Sequence, residues 1–301
     1  MTDVLSAAPV REALADFAET MTETLDSLLP VSDGPEGRLY EAMRYSALGT
    51  GKFIRPYLVK TSGRMFEVSE TSCLRAGAAV ELIHTYSLIH DDLPAMDDDD
   101  MRRGRRSCHI AYDEATAILA GDALLTLAFE VLADETTHPD AGVRSALVTM
   151  LAARAGGAGM VGGQMIDLVS EHVDVDAALI ARLETMKTGA LISYSAAAGA
   201  VLGKAGDEAA NTLETFGFEL GLAFQITDDL LDVEGDEDDV GKKVGKDAEA
   251  GKATFVSALG VDGARREARR LTDRALSRLY VFGEQADELR AVAEFVLARK
   301  N

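Results

Sequence analysis

Residues 81–104 read ELIHTYSLIHDDLPAMDDDDMRRG, an apolar run that passes into six acids in ten residues and then into a pair of arginines. The arrangement recurs further along. Residues 217–239, GFELGLAFQITDDLLDVEGDEDD, close another apolar run with eight acids in the last twelve positions, so fourteen of the 51 Asp and Glu occupy 22 positions. Exposed acidic runs usually sit in polar surroundings. Here the carboxylates stand at the end of elements whose other residues ask for burial, and crowded carboxylates repel one another unless cations are present.

The rest of the chain says what those elements are. Six prolines in 301 residues, with abundant Ala, Leu, Glu and Arg and little strand-like alternation, predict an all-α fold. Helices are expected at about 9–29, 35–48, 51–66, 70–92, 112–134, 140–156, 176–188, 189–203, 207–232, 251–258, 262–281 and 284–299, joined by short Gly, Asp or Pro-bearing turns. No internal repeat or shift of composition divides the sequence, so one large helical bundle spanning 1–301 is expected.

Thirty Lys and Arg against 51 acids give a net charge of −21, which disfavours nucleic acid and anionic lipid as partners. The two cysteines, Cys73 and Cys108, fit neither a disulfide framework nor a zinc spacing, which points to a reducing, cytoplasmic setting. The N-terminal residues carry acids from Asp3 and resemble no targeting peptide. The nearest approach to a membrane span is Leu191–Leu202, which is too short, so no membrane partner is expected.

Hard cations select oxygen ligands, and Mg²⁺ characteristically combines one or two carboxylates with substrate phosphates. Gln225, Asp228, Asp229 and Asp232 fall at i, i+3, i+4 and i+7, a single helical stripe that can face one cavity. Asp91 and Asp97 are six apart, about 120° out of register on a straight helix, and Pro94 supplies a reason for a local bulge that restores Asp97 to the cavity side. Basic groups flank both clusters: Arg102, Arg103, Arg105 and Arg106 after the first, and Lys242, Lys243, Lys246 and Lys252 after the second. Carboxylates that hold metal beside bases that grip phosphate are the requirements of a diphosphate site. Lys52 and Arg55 form a further basic pair at i, i+3, and His84 shares a helix face with Asp91.

With these residues in view, IHTYSLIHDDLPAMDDDDMRRG, AILAGDALL, GGQMIDL, MKTGALI, FQITDDLLD and VGKDAEAGKATFVSALG, in that order, resemble the bacterial short-chain trans-isoprenyl diphosphate synthases, most of all the branch that makes farnesyl diphosphate. The resemblance implies a homodimeric all-α prenyltransferase bundle with a deep central cavity between the two Asp motifs, which joins isopentenyl diphosphate to dimethylallyl and then geranyl diphosphate, with three Mg²⁺ ions per active site. It implies metal binding by Asp91, Asp92, Asp97, Asp228, Asp229 and Asp232, and catalytic roles for Asp91, Asp92, Asp97, Lys187 and Asp228. Arg102, Lys187, Thr188, Gln225 and Lys242 would contact the allylic substrate. Lys52, Arg55, His84 and Arg103 would bind isopentenyl diphosphate, and Tyr86 and Ser87, before the first acids, would set the product length. Two departures stand out. The family's GGKRxRP is TGKFIRP here, so Phe53 replaces a charge expected at the isopentenyl pocket, and Arg106 replaces a proline, which loosens the chain there. A geranylgeranyl or geranyl diphosphate synthase is the alternative within the family. A terpene cyclase would lack the isopentenyl bases, and a regulatory partner would have eroded acid motifs. No P-loop and no Ser-His-Asp arrangement competes.

Overall fold

The computed structural model describes residues 7–49, 51–170, 173, 175–234 and 254–298. In chain order the helices are α1 (Ala7–Leu28), α2 (Gly37–Ala47), α3 (Ile54–Arg64), α4 (Glu70–Asp91), the short α5 (Cys108–Ala111), α6 (Glu114–Ala133), α7 (Ala141–Ala155), α8 (Met160–Ser170), α9 (Ala177–Glu184), α10 (Ala190–Leu202), α11 (Asp207–Glu234), α12 (Phe255–Arg278) and α13 (Asp287–Ala298). A π-helical turn, Thr185–Gly189, joins α9 to α10, and a 3₁₀ stretch, Leu279–Ala286, precedes α13. Among the described residues, β structure is confined to one antiparallel hairpin, β1 (Met101–Arg102) with β2 (Arg105–Arg106). The all-α expectation stands.

The helices start where the side chains needed to cap them stand. Ser69 accepts the Ser72 N–H at the head of α4, Asp113 accepts that of Thr116 at the head of α6, and Thr254 with Ser257 forms a capping box at α12. At the centre lies α10, ALISYSAAAGAVL, in which every residue but Val201 is buried. Its small side chains let α3, α4, α7 and α11 pack around it, and α6 closes on the outer side of α4. A second, smaller apolar cluster joins α11 to α12 through Ala223, Ile226, Leu230, Phe255 and Leu271.

Several expectations are corrected. Between the helices expected at 140–156 and 176–188 the sequence suggests only a connection, yet Met160–Ser170 is α8. The expected helix 51–66 begins only at Ile54, so Lys52 precedes α3 and shares no helical face with Arg55. The gap placed between 258 and 262 is a kink at Gly260 inside α12, while residues 251–253 lie outside the described residues. Two helical stretches, Glu114–Ala133 and Ala141–Ser170, are longer than Leu191–Leu202 and by length and composition could cross a membrane, though each contributes buried residues to the bundle.

Candidate active site

α4 brings the first acids to the site. It ends at Asp91, and in place of the bulge expected from Pro94 the chain folds into a tight loop: the Asp97 N–H donates to the Asp91 carbonyl at 2.8 Å and the Asp98 N–H to Leu93 at 3.2 Å. The loop sets the Asp97 backbone beside Asp91. Asp91, Tyr86, Ser87, His84, Arg55, Lys187 and Thr188 line one cavity of about 320 Å³, whose other walls include Met96, Met160, Met165, Leu168 and Gln164. Ser87 turns its hydroxyl back to the His84 carbonyl at 2.9 Å, which leaves Tyr86 as the bulkier barrier of the two.

Asp92 faces elsewhere. Buried to 2% exposure, it accepts the Arg102 Nε at 2.9 Å and also pairs with the Arg102 Nη2, and with Arg102 and Arg103 it lines a smaller cavity of about 60 Å³. Asp92, expected to bind metal with Asp91, and Arg102, expected to contact the allylic substrate, are thus paired with each other in this structure. The hairpin that carries Arg102 turns through Arg103 and Gly104, both at positive φ, and is fastened to α2 by the Tyr45 hydroxyl, which donates to the Arg106 carbonyl at 2.8 Å. Arg106 is thus a strand residue, held by its backbone, where a looser chain was expected.

Across the cavity the π turn aims Lys187 and Thr188 inward. Lys187 Nζ pairs with Asp167 of α8 at 2.5 Å, and the Thr188 hydroxyl donates to the Gln225 side-chain carbonyl at 3.2 Å. Gln225 in turn donates to Asp229 at 3.2 Å, and the other Asp229 oxygen accepts the Phe255 N–H at 2.9 Å. One oxygen of Asp229, which is 3% exposed, is thus held within α11, and the other fastens α11 to the start of α12. Asp228 and Asp232 are half-buried on the same helix. Lys242 and the other lysines of the second basic cluster, Lys243, Lys246 and Lys252, lie outside the described residues, as do the acids 236–239 and Thr50.

The electrostatics divide the site in two. Burial, reinforced by Asp97 and Asp92 and opposed by Lys187 and Arg102, pushes Asp91 up to about 6. Burial and then Asp229 push Glu184 up to about 8. Burial also works against the charge on Lys187, but Asp167, Asp91 and Glu184 outweigh it and hold the ammonium protonated above its ordinary range. On the α3 side the excess charge is positive. Burial, then Arg55, Arg103 and Arg102, hold His84 well below the usual imidazole range, so it is neutral at pH 7, and the buried Nε of Arg55 has no hydrogen-bond partner. One half is suited to cations and the other to an anion.

The donor set fits a hard divalent cation: oxygen ligands whose negative charge is disfavoured by burial and by one another are what such an ion relieves. Among the described residues, no three His, Cys, Asp or Glu side chains are already gathered closely enough to hold it. Two other expected positions differ. Lys52 is exposed, and Phe53, at 5% exposure with φ +45°, is part of the core and not of a phosphate pocket. Gln164, Asp167 and Glu184 belong to the site but were not singled out from sequence. GGQMIDL was the available signal, because it carries an amide and an acid four residues after Gly163.

Residues 36–293 match the family profile described as polyprenyl synthetase. The chain is 46% identical over 281 residues to the farnesyl diphosphate synthase of Escherichia coli (strain K12), covering 90% of this chain and 91% of that one. It is 39% identical over 289 residues to the geranylgeranyl diphosphate synthase of Cyanophora paradoxa, covering 96% of both. Among solved structures, an FPP/GFPP synthase from Zymomonas mobilis superposes with a TM-score of 0.88 at 43% identity, covering 97% of this chain and 100% of that one.

Proposed function

The chain belongs to the polyprenyl synthetase family, and from that premise we propose that it is a Mg²⁺-dependent trans-prenyltransferase whose product is (2E,6E)-farnesyl diphosphate. One observation supports this above the others: a single cavity with apolar walls is bordered at one end by Asp91 and Lys187 and on the α3 side by Arg55 and His84. A site for joining two diphosphates needs cation ligands for one and bases for the other, with a dry space between.

In this reading Asp91, Asp97, Asp228 and Asp232 would hold the three Mg²⁺ ions, with Asp229 in support. When bound, the ions spread the charge of the departing diphosphate and make it a better leaving group. Lys187 holds the allylic diphosphate by its charge, with Arg102 joining once it leaves Asp92. Lys242, on a part of the chain that is not described, serves the same substrate. Thr188 and Gln225 present dipoles, and no basic nucleophile, to the allylic carbon as it becomes cationic. Arg55, Arg103 and Lys52 hold isopentenyl diphosphate, and neutral His84 can donate a hydrogen bond without adding charge. The isopentenyl double bond attacks the allylic carbon, and the released diphosphate takes the proton that is lost. Met96, Met160, Met165 and Leu168 keep water from the cation. Tyr86 closes the cavity about 7 Å below Asp91 along α4, at about 1.5 Å rise per residue, and limits growth to fifteen carbons.

The active form is a homodimer of single-domain subunits, each one prenyltransferase domain over 1–301, in the cytoplasm and with no nucleic acid or membrane partner. Its support is apolar surface left open on two helices, Ile118 and Leu119 on α6 and Val169 on α8. Replacing Asp91 by Asn is expected to lower turnover by orders of magnitude with the helical spectrum unchanged, because a metal ligand is lost and little packing. Near-native turnover at saturating Mg²⁺ would refute the assignment. A geranylgeranyl product is the second reading, favoured by the Cyanophora relative.

A further inference from the structure

Tyr86 does not stand alone on α4. Its ring meets that of His90, one turn on, edge to face, with centroids 5.7 Å apart and planes at 76°. His90 also lines the cavity, and its Nε2 lies 3.1 Å from the Ile118 carbonyl of α6. The ring can lie against α6 because residue 121 is glycine: a Cβ there would come within 2.1 Å of Nε2, 2.6 Å of Cδ2 and 2.8 Å of Cε1. His90 is thus wedged between the backbone of α6 and the ring of Tyr86, and it has two ways to move. Away from α6 it enters the cavity and presses on Tyr86. If its ring is removed, Tyr86 loses its backing and the cavity deepens.

We propose that His90 and Gly121 are positioning residues for product length, which fix where Tyr86 stands and so where the growing chain stops. The inference rests on the reading that Tyr86 closes the cavity. It assigns α6 a part in specificity through a backbone contact, and no α6 side chain has to touch the substrate. The wedge gives opposite signs for two substitutions. His90→Ala lengthens the product, and Gly121→Ala shortens it because the new methyl drives the ring inward. In the double variant the methyl occupies the space the ring has left, so its product matches that of His90→Ala.

The test supplies native enzyme and the variants Tyr86→Ala, His90→Ala, Gly121→Ala and His90→Ala/Gly121→Ala with dimethylallyl diphosphate, excess isopentenyl diphosphate and Mg²⁺, and measures the ten-, fifteen- and twenty-carbon products. His90→Ala is expected to raise the twenty-to-fifteen ratio about tenfold or more, the scale on which a few buried carbons discriminate between substrates. Gly121→Ala is expected to raise the ten-to-fifteen ratio, with the double variant following His90→Ala. A lengthened product from Tyr86→Ala together with native ratios from His90→Ala and Gly121→Ala would overturn the inference and leave the role of Tyr86 standing. Native ratios from Tyr86→Ala would instead remove the reading beneath it. A purely structural wedge lowers thermal stability and rate but leaves the ratios unchanged, which also overturns the inference. If Gly121→Ala fails to fold, His90→Ala, which only removes atoms, and the double variant decide the matter.

Discussion

Glu184 shows how the site trades stability for charge. The unfolded chain releases its proton near pH 4.5, whereas in the fold burial and Asp229 hold that proton up to about 8. The folded state therefore binds the proton more tightly. The stability this gives is complete below about pH 4.5 and is lost as the pH rises through about 8, at a cost of a few kcal/mol. In EDTA, Glu184→Gln is expected to unfold at a higher temperature than the native protein at pH 8.5 and at nearly the same temperature at pH 4.5. Equal differences at both pH values would show that the carboxyl is not strained by its surroundings. Phe53 carries a second expectation at this scale, and it reverses the one drawn from sequence. Comparison with the family pattern suggested a missing charge at a phosphate pocket, but the side chain is in the core, on a residue with φ +45°. Phe53→Arg buries an ion without a partner, so the melting temperature should fall and the KM for isopentenyl diphosphate should not improve. A lower KM with unchanged stability would restore the sequence-based reading. The surroundings of Asp92 are hidden from the sequence for a related reason. Its partner, Arg102, is brought to it by a hairpin turning at Arg103 and Gly104, and nothing in a run of acids announces that pairing.

Among the helices, legibility follows composition. Those with Ser, Thr or Asp caps and long runs of Ala, Leu and Glu were placed to within a few residues, α4 and α6 among them, because propensity, capping and burial agree there. α8 was missed because AGGAGMVGG before GGQMIDL's last residues reads as loop, and the glycines serve contact rather than turning. A Cβ on Gly163 would lie 2.3 Å from the backbone nitrogen of Lys187, so this glycine is what lets α8 meet the π turn and Asp167 reach Lys187. The π turn was equally hidden, since one extra residue in a helical turn leaves no compositional mark, yet it redirects Lys187 and Thr188 into the cavity. Gly163→Ala is expected to push α8 from the π turn, lower the melting temperature by several degrees and raise the KM for the allylic substrate more than that for isopentenyl diphosphate. Equal changes in both constants would mean that the contact supports the fold without orienting Lys187.

For the molecule as a whole, the acid-tipped apolar runs at 81–100 and 217–239 pointed to one centre, because burying a helix that ends in carboxylates carries those carboxylates to an interior edge. The fold also leaves apolar side chains on α6 and α8 that its own core does not use. If a second copy covers them, Leu119→Glu should convert a species of twice the 32.0 kDa chain mass into one of single mass in light scattering, with the helical spectrum kept. A native protein of single mass at micromolar concentration would dismiss the dimer. Giving the purified native enzyme dimethylallyl and isopentenyl diphosphates with Mg²⁺ and identifying the product decides between a farnesyl diphosphate synthase and its alternatives. The prediction is (2E,6E)-farnesyl diphosphate as the main product, with none when EDTA replaces the metal. Geranylgeranyl diphosphate as the main product, or undiminished synthesis in EDTA, would contradict it.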